Sequence, residues 1–303
     1  MTSTLPTPPI GVSRRRLSSA GQVLLFGGRP EPSWPAEHPI DQKMQFVAFE
    51  NLDGRPIGII FNFPCHNNVG GGNRFSGDMF GRAGEIMRRT FGDHVATVSL
   101  AAPSGDVSWI DPHRGKTVRD DWDAGQAIAE PILAAYAKGK RRQCDKIVMR
   151  RAVERMPDRI FEESTFCRDN CRGDSNRPVI RNRYDPEEKA VRARSQTYCA
   201  VEIQCIAFGP VAIVTNPAEL FSIYGIRIRD ASPFEVTIVS SLSNGYCGYV
   251  PTPEAFRHRG YETHRTVYTS RLVKDGGDRI ERHSVEQLQR AWHALSPGHK
   301  PDK

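Results

Sequence analysis

Several side chains in this sequence have the chemistry to hold a cation or move a proton, and most stand where a secondary-structure element ends. His66 closes Asn62–His66 (NFPCH), directly after the apolar run Pro56–Phe63 that reads as a buried strand. A neutral imidazole at a strand end, followed by the glycines at 70, 71 and 72, suits zinc; it equally suits a structural bond to a loop carbonyl. Glu219 lies in Asn216–Phe221 (NPAELF). Its carboxylate is a ligand for zinc, yet Asn216 three residues earlier and Pro217 also give it the spacing of a helix capping box. Tyr246, Tyr249 and Tyr261 crowd a segment dense in glycine and proline. A phenol there stacks, donates a hydrogen bond, or ligates as the phenolate that a neighbouring cation favours. Ser108 follows Gly105-Asp106-Val107 with no G-x-S-x-G elbow around it, so on pattern alone it is an ordinary loop serine. Asp78 at a helix start reads as a cap or a dipole partner.

Positioning these groups falls to a series of alternating elements. Met44–Glu50 and Gly58–Phe63 read as a β-hairpin around the Asp53-Gly54 turn signal. Asp78–Phe91 is amphipathic, with Phe80, Ala83, Ile86 and Met87 on one face and Gly92 placed to end it. Val95–Leu100 reads as a strand, Ala101–Asp111 as a loop and Asp121–Ala137 as a helix. The stretch Arg150–Ala193 is polar, charged and poorly periodic, which reads as an insertion or surface excursion, set to shield the site. Gln196–Phe208 and Val211–Val214 form a second hairpin around Gly209-Pro210, and Asn216–Arg229 reads as a helix. Glu235–Leu242 is a strand, Pro253–Arg257 a short helix and Val285–Leu295 a final one. Such alternation predicts an α/β fold, a mixed β-sheet flanked by helices in a single large domain. Residues 1–40 are expected to be an N-terminal extension or the remnant of a longer domain, with residues 1–10 unstructured. Residues 41–303 form the domain itself.

Composition narrows the function classes. The 303 residues carry a net charge of +7 with 38% hydrophobic content, and no apolar run reaches membrane-spanning length. Basic stretches such as Lys138–Arg142 are compatible with anionic partners, but no aromatic-interleaved basic helix or zinc finger accompanies them, so no nucleic-acid partner is expected. Seven cysteines cannot all pair, and those in apolar segments (Cys65, Cys199, Cys205, Cys247) read as buried thiols in a reducing compartment. Ser13–Leu17 (SRRRL) has the form of a twin-arginine export segment without its apolar core, and a cytoplasmic location is expected.

Taken together, five segments resemble the neutral/alkaline non-lysosomal ceramidase family: Asn62–His66, Ser76–Gly81 (SGDMFG), Gly105–Ser108 (GDVS), Pro217–Phe221 (PAELF) and Asn244–Glu262 (NGYCGYVPTPEAFRHRGYE). The resemblance implies a zinc-dependent amidase that hydrolyses the N-acyl amide bond of ceramide or of a smaller, non-lipid amide. It implies one Zn²⁺ held by His66, Glu219 and Tyr261, with Ser108 as an active-site donor or nucleophile and Arg14 as a substrate contact. The family carries a further zinc ligand in an upstream His-x-His segment. Here only His38 precedes His66, so the resemblance implies a fragment of a longer protein, a reduced member with a weaker ligand set, or a non-catalytic or truncated remnant that binds a lipid or partner.

Overall fold

A computed structural model describes residues 1–21, 23, 31–73, 75–139, 141–159, 186, 189–193, 198–266 and 269–295. The α/β fold with mixed sheets and flanking helices is as the sequence predicts, and its strands divide into two four-stranded sheets that pack face to face. The first contains β1 (Thr2–Pro6), β3 (Lys43–Glu50), β4 (Pro56–Phe63) and β5 (Ala96–Ala101), in that spatial order. Short strand β2 (Val12–Ser13) lies outside it, paired with β6 (Val107–Ser108). The hairpin β3–β4 forms as expected, with Gly54 at a φ of 78° in its turn. Strand β5 then joins β4 in parallel. Residues 1–10 are not unstructured: β1 adds to the edge of β3, and the Met1 amine donates to the Ala48 carbonyl at 2.8 Å. Once β3 is in place, its open edge gives these residues backbone partners that their own composition does not advertise.

Helix α1 (Asp78–Phe91) enters after β4, and α2 (Asp121–Lys138) follows the small hairpin of β7 (Ile110–Asp111) and β8 (Gly115–Lys116). Both helices cover the outer face of the first sheet, where Phe46, Phe61 and Phe63 meet Met79, Phe80, Met87, Ile128 and Ile132. The loop expected over Ala101–Asp111 therefore contains short paired segments.

The second sheet runs β13 (Val236–Ser240), β11 (Val211–Thr215), β10 (Tyr198–Phe208), β9 (Ile147–Pro157). It repeats the plan of the first, an antiparallel hairpin (β10–β11) with one parallel neighbour (β11–β13). Strand β9 corrects the reading of Arg150–Ala193 as an insertion: its first eight residues complete an 11-residue strand against β10. The inward side of β9 carries Glu154, whose charge is met by Arg279 at 3.2 Å and His283 at 2.6 Å. That nonlocal pairing makes a charged strand tenable and is invisible to periodicity. The part of the expected excursion from 160 to 185 lies outside the described residues.

Helices α3 (Ser222–Asp230) and α5 (Gly276–Leu295) cover the outer face of this sheet, with short α4 (Ala255–His258) between them in sequence. The final helix begins nine residues earlier than its apolar periodicity indicates. Between the sheets, Val47, Val211, Ile213, Val236 and Ile238 form a separate apolar layer, so the architecture is α/β/β/α. Among the described residues no helix is long and apolar enough to cross a membrane.

Candidate active site at the carboxyl ends of two sheets

The parallel strands β4, β5, β11 and β13 deliver their carboxyl ends to one edge of the sandwich, the place where open α/β sheets put ligands. Two backbone bonds join the sheets there. The Ser241 amide donates to the Ala101 carbonyl at 2.7 Å, and the Gly105 amide to the Leu220 carbonyl at 2.9 Å. The crossing is so close that a Cβ on Gly105 would stand 2.6 Å from the Glu219 carbonyl oxygen, which only glycine accommodates.

His66 leaves the end of β4 and faces the second sheet. Its loop is shaped by Asp78, which sits at a φ of 52° and accepts from the amides of Val69, Gly70 and Met79 at 2.7–3.0 Å. Asp78 thus organises the glycine loop through its side chain, while Gly77 takes the cap position. Neighbouring Cys65 is buried and its thiol is pushed up to about 12 by desolvation, which makes it a packing group.

Glu219 does not begin a helix. Asn216 Oδ1 accepts from the Ala218 amide, a local turn that competes with helix initiation. Glu219–Leu220 then pairs in parallel with Tyr249–Val250 as strands β12 and β14, and α3 starts only at Ser222. The consequence is functional: Glu219 projects beside His66 instead of capping its own helix. Nε2 of His66 lies 3.6 Å from Oε2 of Glu219 and 3.3 Å from the Tyr249 hydroxyl. Tyr246 donates to Glu219 Oε1 at 2.6 Å. Burial opposes the Glu219 charge, but hydrogen bonds from His66, Tyr246 and Tyr249 outweigh it and hold the carboxyl below its ordinary range. Desolvation first, and then Glu219, push the Tyr246 phenol well above its usual value; desolvation also raises Tyr249.

Tyr261, in the 3₁₀ turn Tyr261–Thr263, lies edge-on to Tyr249 with ring centroids 5.5 Å apart. Arg14 stands over the Tyr249 ring at 5.4 Å, donates to the Gly105 carbonyl at 2.7 Å and pairs with Glu262 at 2.8 Å. Ser108 is tied to this neighbourhood through its own segment: β6 pairs with β2 next to Arg14, and the Trp109 indole donates to Asn68 in the loop after His66. Its Oγ accepts from the Ile110 amide at 3.0 Å. His38, the lone upstream histidine, sits against Thr252 at 3.0 Å.

Sequence reading missed the charged base of the site. Arg15, 1% exposed, makes a two-pronged pair with Glu37 at 2.5 and 2.9 Å and reaches Glu262 at 2.6 Å. The only sequence signal was SRRRL itself, and two of its arginines, Arg14 and Arg15, are here partners of buried carboxylates. Burial alone would raise the Glu262 pKa, but Arg14 and Arg15 bring it down to about 2. A carboxyl lowered from its ordinary 4.5 stabilises the fold fully above that value and loses the contribution as pH falls from 4.5 towards 2. Glu262→Gln should therefore flatten the acid side of a Tm-against-pH curve in this window; parallel curves for the two proteins would refute the assignment.

Two ligands each about 2.0–2.2 Å from one zinc ion lie roughly 3.3–3.7 Å apart, and the His66–Glu219 separation of 3.6 Å falls within that range. The other ring nitrogen of His66, Nδ1, is buried with no hydrogen-bond partner among the described residues. An imidazole and a carboxylate fit the ion; no cluster of three His, Cys, Asp or Glu occurs among the described residues, and the Tyr249 hydroxyl is a further oxygen beside His66.

No family model matches the sequence. Among solved structures, one titled as a ceramidase complexed with C2 superposes with a TM-score of 0.64 at 13% identity, covering 100% of this chain and 54% of its own. A neutral ceramidase from Pseudomonas aeruginosa gives 0.64 at 14% identity over 100% and 53%. This chain therefore has a ceramidase-like fold and spans about half the length of those proteins.

Proposed function

We propose that the chain is a ceramidase-like amidohydrolase, with zinc held between its two sheets and the N-acyl bond of ceramide or a related amide as substrate. The observation that carries this reading is the approach of His66 and Glu219, from different sheets, to a ligand-like separation. The fold it shares with the ceramidase structures supports the reaction class. His66 and Glu219 would hold the ion. Tyr261 is the phenol expected as third donor; the Tyr249 hydroxyl, 3.3 Å from His66 Nε2, competes for that position, and we assign it to Tyr249. When bound, zinc would polarise the amide carbonyl and acidify water.

The chain's own residues supply the rest. Tyr246 keeps Glu219 ionised by donating to Oε1. Ser108 Oγ already accepts from a backbone amide, which leaves its proton to be given; that favours a donor to the developing oxyanion over a nucleophile. Arg14 orients the substrate side of the site by fixing the Tyr249 ring and the Gly105 carbonyl. A second reading, a non-catalytic relative that binds a lipid or partner, is favoured by the small set of non-phenol donors.

Elemental analysis of the purified protein, with His66→Ala as control, separates the two. Stoichiometric zinc that is lost in the variant, with release of fatty acid from a short-chain ceramide, is the expected result. Absence of zinc from both proteins under zinc-replete expression would favour the non-catalytic reading. Tyr249→Phe is expected to release zinc more readily than Tyr261→Phe, and the reverse order would return the third position to Tyr261.

A further inference from the structure

We infer that the chain forms a two-fold dimer through the free edge of β9, joining the second sheets of two copies into one eight-stranded sheet. Among the described residues β10 is the one strand paired with β9, and the other edge of β9 is bonded only at its far end, where the Pro157 carbonyl accepts from the Val273 amide at 3.2 Å. Natural edge strands are usually short, or blunted by charged side chains (lysine above all), proline or a bulge. Strand β9 is long, its single proline, Pro157, is the last residue, and its charges are Arg150, Arg151, Glu154 and Arg155, with no lysine among them.

The face beside that edge is apolar. Ile147, Met149 and Val153 lie along it at 68%, 63% and 46% exposure. The charges between them are turned back onto the same copy. Arg151 bonds Glu202 at 2.5 Å, and the Arg155 guanidinium lies 3.7 Å over the Tyr198 ring. What faces the neighbour is thus a strip of aliphatic side chains and backbone, and not a row of free cations.

The sequence of β9 also selects the occupant. In a two-fold antiparallel pair, residues opposite each other share a side of the sheet, so the axis must pass midway between a residue and its own copy. Centred on Arg150 or Arg151, the pair sets an arginine against its own copy; centred on Val153 it sets Arg151 against Arg155, and on Glu154 it opposes two glutamates. Centred on Ala152, no like charges stand directly opposite each other. Arg150 then faces Glu154 of the second copy twice, Val148 faces Met156 twice, and Met149 lies diagonal to Val153. One register, and only that one of the five, is complementary to itself, which is what an isologous interface requires.

Sedimentation velocity of the full chain from about 1 to 100 μM is the test. A dimer is expected, and Arg150→Glu should raise its dissociation constant about tenfold or more, because two attractive cross-strand pairs become repulsive. The swap Arg150→Glu with Glu154→Arg should restore the dimer. Glu154 also holds Arg279 and His283, so Met149→Lys serves as an independent variant on an exposed side chain; it too should give monomer, with an unchanged circular dichroism spectrum. A wild-type protein that stays monomeric at 100 μM overturns the proposal. So does a dimer that survives both Arg150→Glu and Met149→Lys.

Discussion

Arg15→Leu is expected to destabilise the protein by about 3–5 kcal/mol, the cost of leaving buried carboxylates without their counter-ion. Arg15 is 1% exposed and bridges Glu37 and Glu262, both nearly sequestered from water. Leucine fills part of the volume but supplies no charge, and Glu37 would then depend on His258 at 2.8 Å. The guanidinium also donates to the Arg259 carbonyl at 2.7 Å and approaches the Phe221 ring at 5.3 Å. Its loss should therefore loosen the chain on either side of Tyr261. A thermal melt should show a fall in Tm on the order of 10 °C. Arg15→Lys keeps the charge and loses the two-pronged geometry, so it should lie between leucine and wild type. A change below about 1 kcal/mol for leucine would mean that the pair is neutral to folding, as some buried ion pairs are.

The second large effect concerns Glu219. Glu219→Gln retains an oxygen to accept from Tyr246 but removes the negative charge that a cation requires. Zinc affinity and amide hydrolysis should fall together, by about 10²-fold or more, while Tm in the presence of chelator changes little. Equal zinc content in mutant and wild type would remove Glu219 from the ligand set. Unchanged hydrolysis with zinc lost would remove the metal from the reaction.

Local elements of this fold were readable because local patterns cause them. The hairpin around Asn51–Gly54, helix α1 and the hairpin at Gly209-Pro210 follow from turn chemistry and periodicity, and they lie where the sequence places them within a residue or two. Features that depend on distant partners were not readable. The strand identity of Glu219 comes from Tyr249, thirty residues later by 249 − 219, and overrides a plausible capping box. Residues 2–6 become a strand only because β3 offers an edge. The division into two sheets depends on which apolar faces meet, and alternation along each strand cannot say that. At the site, the segments holding His66, Glu219, Ser108 and the tyrosines were legible as a family resemblance. Which phenol lies nearest His66 was not.

The arrangement of donors also has a consequence for how the molecule is made. Each sheet with its covering helices is contiguous in the chain, the first ending with α2 at Lys138 and the second beginning with β9 at Ile147. Half of the site belongs to each, His66 and Ser108 to the first and Glu219 with its tyrosines to the second. Each half can therefore acquire its secondary structure before any cation site exists, and the site appears only when the apolar faces dock. A cation held there would be a late arrival in folding, slowing the separation of the halves far more than it speeds their formation. Its dissociation rate would then report the breathing of the sandwich, which turns a candidate catalytic centre into a clock for the whole tertiary structure.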